Sequence, residues 1–501
     1  MGCRPSTPEV ITVTPPDPPP SEVPSDPPLS KPRSYRPSIA SLQIPNFQDD
    51  LSSECMSDRS TDQEAPENQD YLCGTDVSLQ WLLQTFADKF NKNFEEEPQW
   101  ITERLNRPKW MTGVRKGKGV RNVGYTSRVS SSEQSAPTPL HYPIAGKSDA
   151  YARYRGLGTL QDYATSTVLR VTFGWEDDDL PKSVILKTLS SKELRDDDEA
   201  KYHYLMFKRE CNVYDWTQKY SKLASPRIFH IKRQAKDFGG VVVMEDIGER
   251  GVQQDAIKGL SVDGVRDLLR HLAVLHTVSM KHTGWNTLVA DLPPSYYEYL
   301  VSSYNDMVNF FERHDVDHSR FVETGQYFSS EYLYTTSTEA AEKLPPKVFV
   351  HGEPYASNVF VLNDSKDSRI AALIDWTALP SIRQSIMLSL PGHWQTESHS
   401  GCFGEDIAKA ICWNLSTKDR LECTTTLLEE YHLQFVAHSP EDSQITLDLV
   451  RKAFDMFVPL AMVTFVAKVI AMKNKEDIEP MIERAKGLIQ NVYTMGRILH
   501  G

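Results

Sequence analysis

The apolar positions of this chain change period several times, and the changes lay out its elements. Residues 77–86 repeat large apolar side chains at helical spacing after a polar start, which predicts a helix. Residues 163–173 and 183–189 are short β-rich runs on either side of the acidic turn Glu176-Asp177-Asp178-Asp179, a pattern that predicts a hairpin. A helix over 197–222 follows, and then a buried strand over 240–244 that runs into Glu245-Asp246. Residues 262–280, 294–313 and 337–343 read as helices, interrupted by a strand pair, 348–350 with 359–362, and by a strand over 370–374. The rest of the chain is mainly helical, without an internal repeat. This order predicts an α+β protein of two lobes, small and β-rich first, mainly helical second, with a short connector that leaves a cleft between them.

Composition divides the chain further. Residues 1–70 hold 14 of the 31 prolines with much Ser, Asp and Glu, too little apolar surface to offset chain entropy, so a disordered tail is expected there. The expected units are therefore 1–70, a lobe over 71–245 and a helical lobe over 246–501. Within the tail, residues 15–37 favour polyproline II, which serves either as a spacer or as a ligand for an aromatic-grooved module. Met1-Gly2-Cys3-Arg4-Pro5-Ser6 has the spacing for N-myristoylation at Gly2, with Cys3 placed for a second acyl chain and hence peripheral membrane contact.

Charge and cysteine usage narrow the partners and the compartment. A net charge of −13 argues against a general nucleic-acid binder. Seven scattered cysteines without a C-x-x-C pair indicate neither a disulfide framework nor a zinc ribbon, and the first residues lack the apolar core of a secretory signal, so a cytoplasmic protein is expected. The apolar run 454–472 carries Asp455, Pro459 and Lys468 and is expected to be a buried helix rather than a membrane span.

The chemistry concentrates in two places. His351-Gly352-Glu353-Pro354-Tyr355-Ala356-Ser357-Asn358 sets a carboxylate and an amide five residues apart on a loop between short strands, and Asp375 ends the next strand. Phosphoryl transfer uses such a trio: one carboxylate orients the acceptor hydroxyl, and an amide oxygen with a second carboxylate holds Mg²⁺ on the phosphates. Upstream, Lys187 on a strand could pair with phosphates, and Glu210 on the following helix could hold that lysine in place. No second histidine stands near His351 at ligand spacing, so His351 reads as a loop organiser; His271 and His276 read as packing or surface groups, and Cys211 as a buried thiol.

At this point the chain resembles the choline-kinase-like and ecdysteroid-kinase-like proteins, in the branch expanded in nematodes, which are related to aminoglycoside phosphotransferases. The resemblance runs from about residue 72 to the C-terminus. It rests on His351-Gly352-Glu353 with Asn358, on Ile374-Asp375-Trp376, on the Lys187 and Glu210 pair, and on the connector Val243-Met244-Glu245-Asp246-Ile247. Gly404-Glu405-Asp406-Ile407-Ala408 resembles a later family element that supports the metal loop and starts a helix. The resemblance implies a protein-kinase-like fold and an ATP- and Mg²⁺-dependent kinase for the hydroxyl of a small molecule. It implies that the backbone of Met244, Glu245 and Ile247 meets adenine, Lys187 the α- and β-phosphates, and Asn358 and Asp375 the metal. Glu353 takes the catalytic-base position. A Gly-rich phosphate-covering turn matches Gly117, Gly119 and Ser127 better than it matches Gly156-Leu157-Gly158.

Three features depart from the family. It carries Asp where this chain has Glu353, and the extra methylene displaces the carboxylate by over about 1 Å, a shift that can cost about a hundredfold in rate. An insertion at 130–159 enters the first lobe, and Pro391-Gly392-His393-Trp394 with a polar stretch lengthens the step from Asp375 to Asp406. The change at 353 is the ground for a rival reading, a pseudokinase scaffold whose tail recruits partners. A protein kinase proper is disfavoured, since the Ala-Pro-Glu and Asp-Phe-Gly tripeptides of this chain, at 65–67 and 237–239, precede the loop at 351–358 and none follows it in signature order.

Overall fold

Strict alternation along the strands of the first lobe gives its sheet two working faces. The computed structural model describes residues 71–72, 75–94, 98–105, 167–189, 198–233, 239–289, 291–344, 346–376, 398–439, 445–472 and 477–500. Strands β1 (Trp100–Arg104), β2 (Thr167–Phe173), β3 (Ser183–Thr188), β4 (Ile228–Lys232) and β5 (Val241–Glu245) form an antiparallel sheet in the order β1-β2-β3-β5-β4. Val184 and Leu186, with Val241 and Val243, face helix α1 (Leu79–Phe90) and pack with Leu79, Leu82 and Phe86. Ile185, Val242 and Met244 point the other way, into the main core and toward helix α2 (Asp198–Thr217). Lys187 shares that second parity, so the period of two alone aims it at α2.

Helix ends follow local chemistry. Ser78 caps α1 by accepting from Trp81 N at 3.2 Å, and Asn91 closes it in the left-handed region at φ 51°. Helix α2 stops at Thr217, short of the expected 222, because residues 217–223 leave the α-ladder for successive three-residue turns, Tyr220 N to Thr217 O and Leu223 N to Tyr220 O. Strand β1 was not expected from the sequence.

The second lobe begins at a 3₁₀ turn, Ile247–Glu249, and strand β6 (Gly251–Gln253). Helix α3 (Val262–Lys281) matches expectation nearly residue for residue. The single helix expected over 294–313 is two, α4 (Pro294–Val301) and α5 (Tyr304–Glu312). Ser302 N turns back to Tyr299 O and its hydroxyl takes the same carbonyl at 2.6 Å, which closes the first helix before the second starts. Helices α6 (His318–Thr324) and α7 (Ser330–Lys343) precede strand β7 (Val348–Val350). Strands β8 (Val359–Leu362) and β9 (Ile370–Leu373) then lead to β10 (His399–Gly401).

The expected strand pair is corrected here: β7 pairs with β10, whereas β8 lies between β6 and β9. A short run of apolar residues fixes that a strand forms, and not which edge it finds. Helices α8 (Phe403–Asn414), α9 (Thr417–His438), α10 (Leu447–Ala471) and α11 (Glu479–His500) complete the lobe. By length and composition α10 is long and apolar enough to cross a membrane despite Asp455, Pro459 and Lys468; as expected it is a buried helix, with 89% of its most apolar window inside the protein. The two-lobed, kinase-like α+β plan is the one the resemblance implies.

The Pro-rich tail with Gly2 and Cys3, the turn holding Gly117, Gly119 and Ser127, Gly156 to Gly158, the insertion at 130–159 and Pro391 to Trp394 lie outside the described residues.

Candidate functional site

On the sheet side of the cleft, Lys187 Nζ stands 2.6 Å from Glu210 Oε1. Glu210 is 3% exposed; burial raises its pKa above the ordinary 4.5 even with the lysine opposing the shift, and the charge of Asp375 adds to the rise. Tyr214, one turn further along α2, hydrogen-bonds the same carboxyl, and burial lifts its own pKa well above 10. Three predicted residues from three elements, Lys187, Glu210 and Asp375, are thus electrostatically coupled. Cys211 beside them is a buried thiol pushed up to about 12 by desolvation, as unreactive as expected.

The connector is braced from the sheet. Asp246 takes Arg170 Nε at 2.6 Å and Ser183 Oγ at 2.7 Å, and caps the 3₁₀ turn at Gly248 N. Glu245 pairs with Arg250, and its N–H is already given to Arg227 O at 2.8 Å. Met244 and Ile247 are both buried.

The loop after β7 is organised by its own histidine. Burial lowers the His351 pKa, so the ring is neutral, and its partners assign the tautomer: Nδ1 accepts from Glu353 N at 3.2 Å while Nε2 donates to Ile374 O at 3.2 Å. Gly352 takes φ +84°, a conformation that resists a side chain. Asn358 Nδ2 donates to Glu353 O at 3.1 Å, and Ile374 N to Asn358 O at 2.9 Å. Position 375 therefore hangs directly from the loop that carries 353 and 358. Asp375 itself sits at φ +66°, a costly conformation for a residue with a side chain and one that collects at functional sites.

Helix α8 holds this loop from beneath. Asp406 accepts from His351 N at 2.7 Å, Gly352 N at 2.9 Å and His276 Nε2 at 3.1 Å, and His276 Nδ1 in turn faces Tyr431 Oη at 2.8 Å. Burial and these donors leave the Asp406 pKa below its ordinary 3.8, the donors outweighing the desolvation. One turn on, Lys409 Nζ reaches Gly352 O at 3.0 Å and Glu405 Oε1 at 2.5 Å, while His399 Nε2 meets the other oxygen of Glu405 at 3.1 Å. Burial alone would raise Glu405; Lys409 and His399 win and hold it down at about 2. Asn414 finishes the cradle, accepting from Ala356 N at 2.8 Å and donating to Pro354 O at 2.9 Å. Gly404 admits the helix, because a Cβ there would lie 2.6 Å from Ala453 O.

Glu353, 6% exposed, points to Lys468 of α10, whose Nζ lies 2.8 Å from Oε1. The sequence reading missed Lys409, Lys468, His399 and Asn414, and it set His276 aside as a packing or surface group. For the two lysines a signal existed, since each is the one charge within an apolar run, 407–413 and 456–471, and such a charge seldom goes under without a partner. Lys468 was read only as an interruption of an apolar run. Asp406 was noticed, and it supports the loop of Glu353 and Asn358. Among the described residues no group of three or more His, Cys, Asp or Glu could hold a metal by itself. The donor set at Asn358 and Asp375 suits a hard cation that takes most of its ligands from phosphate and water.

Residues 164–495 match the profile of a family, DUF1679, described as "Uncharacterized oxidoreductase dhs-27". Among curated proteins none matches this sequence. Solved structures similar to it include a choline kinase from Cryptosporidium parvum Iowa II, 13% identical at TM-score 0.41, with 67% of this chain and 87% of that one covered. An ethanolamine kinase from Plasmodium vivax is 12% identical at TM-score 0.35, covering 66% and 81%. A choline kinase from Streptococcus pneumoniae is 12% identical at TM-score 0.34, covering 67% and 92%.

Proposed function

We propose that this chain, which belongs to the DUF1679 family, is an ATP- and Mg²⁺-dependent kinase that transfers the γ-phosphoryl group to a hydroxyl of a small molecule. The observation that carries this reading is the coupling of Lys187, Glu210 and Asp375 across the cleft, with Asn358 accepting from the strand end at Ile374 N and donating to Glu353 O. Lys187, held by Glu210, would meet the α- and β-phosphates. Asn358 and Asp375 would hold Mg²⁺, which when bound neutralises charge on the β- and γ-phosphates. Glu353 would orient the acceptor hydroxyl, and the connector from Met244 to Ile247 would lie along the adenine.

A second reading has its own observation. Glu353 is already paired with Lys468, and it is longer than the Asp its relatives carry, so the site could bind nucleotide as a scaffold without turnover. The oxidoreductase of the family's description has less support. Dinucleotide folds place the cofactor at the crease of a parallel sheet, and every strand pair among the described residues is antiparallel. In the cell a cytoplasmic site follows from cysteine usage, with membrane contact through Gly2 and Cys3 as an added proposal.

Thermal unfolding of the full chain with and without Mg-ATP, beside Asp375→Asn, tests the leading reading. Saturation at a hundred times the dissociation constant adds about 2.7 kcal/mol. The wild type is expected to shift and the variant to shift far less. No shift in a folded wild type would overturn both nucleotide-binding readings; a shift without any detectable phosphorylated product would favour the scaffold.

A further inference from the structure

We infer that Lys468 is a positioning residue for the Glu353 carboxylate, and that the longer side chain at 353 works in this site because α10 supplies the cation that fixes it. The inference rests on the kinase reading above. Lys468 Nζ lies 2.8 Å from Glu353 Oε1, with the two side chains 13% and 8% exposed. A carboxylate one methylene shorter would fall short of that nitrogen by over about 1 Å, so the contact depends on Glu rather than Asp.

The lysine is itself held. Its ammonium sits 5.0 Å from the ring centre of Trp413 and 5.6 Å from that of Tyr355. Both rings are locked, Trp413 Nε1 donating to Ala461 O at 2.9 Å and Tyr355 Oη to Ala256 O at 2.5 Å. The same indole carries Lys409 at 5.3 Å, and Lys409 bonds Gly352 O. Two cations based on one tryptophan thus grip two consecutive residues, Gly352 by its backbone and Glu353 by its carboxylate. A surface ion pair would gain nothing from such an arrangement. A carboxylate that must be presented at one angle gains a fixed direction, and a direction lost by an ångström can cost about a hundredfold.

The test measures steady-state ADP release from Mg-ATP by the full chain, with water as acceptor, in the wild type, Lys468→Met and Lys468→Arg. Lys468→Met is expected to lower kcat tenfold or more while KM for ATP stays within about twofold, and Lys468→Arg to recover part of the loss. The double variant Glu353→Gln with Lys468→Met is expected to be no slower than the slower single variant, since the two act as one unit. If Lys468→Met does not fold, Lys468→Gln is read in its place, with the same expected loss. Unchanged kcat in the uncharged variant, or kcat and KM moving together with thermal stability, overturns the inference and leaves the kinase reading standing. A wild type that is stabilised by Mg-ATP but releases no ADP also overturns it, whereas a folded wild type that does neither removes the kinase reading and the inference with it.

Discussion

The two sides of the cleft are built on opposite principles. On the sheet side, Lys187 and Glu210 meet as an ion pair at the lobe boundary, the lysine still 18% exposed on its side chain. On the helical side, the loop from His351 to Asn358 is tied at nearly every residue, to Asp406, Lys409, Asn414, Lys468 and its own histidine, almost all of it buried. A pair at a boundary can follow a ligand as it enters. A loop with most of its backbone groups claimed cannot move without leaving polar atoms unsatisfied in the interior. The difference teaches that in this molecule the loop carrying Glu353 and Asn358 is fixed from several elements at once, while Lys187 stands at the lobe boundary with part of its side chain exposed.

Asp406→Ala strikes that comparison hardest. It leaves two buried backbone N–H groups and His276 without their acceptor, and about 4 kcal/mol of stability should go, read by urea unfolding. A loss under about 1 kcal/mol would mean the loop is not anchored as described. Next, Glu405→Gln strands the fully buried Lys409 and should cost about 3 kcal/mol. It should also change the pH profile. Glu405 is held at about 2, below its ordinary 4.5, so its stabilisation is full above about 4.5 and is lost as pH falls toward 2. Wild-type stability should therefore fall over that window more steeply than that of the variant.

The sheet side should answer differently. Lys187→Met is expected to remove most Mg-ATP stabilisation while costing less unliganded stability than Glu405→Gln, because Glu210, already raised by burial, can take up a proton when its partner is gone. The sign follows: a carboxyl raised in the folded state stabilises at low pH, so this variant should lose stability as pH climbs above the ordinary 4.5, measured by unfolding at pH 5 and pH 8. Equal losses at both values would show that Glu210 keeps its charge without Lys187, and the two sides would then be alike. The smallest expected effect lies far from either side. Asn91→Gly, at φ 51° closing α1, should add about 0.5 kcal/mol in the same unfolding assay and leave nucleotide binding untouched.

Much of the sheet side could be read in the sequence, because a strand's period of two and a helix's period near 3.6 determine directions locally. Those periods aim Lys187 at α2 and bring Glu210 to the facing turn, and the brackets at 351–358 and 375 mark their own loops. What lay beyond reach were edges and partners. The neighbour of β7 proved to be β10, about fifty residues on, and the strand pairing expected with β8 required only apolar residues that either partner could supply. The turn at Ser302 was hidden for a similar reason, since the apolar pattern of α4 and α5 continues across it.

The sequence alone determined the two-lobed α+β plan and pointed to a candidate set of residues, from Lys187 through Glu353, Asn358 and Asp375, through local spacing and the family resemblance that those motifs carry. Only the tertiary structure decided that Glu353 is met by Lys468 from a helix more than a hundred residues later, and that Asp406 and Lys409 clamp the loop from below. The physical reason is that a buried charge is settled by whichever partner the packing brings within about 3 Å, and that contact is a property of the assembled core that no short window of sequence contains.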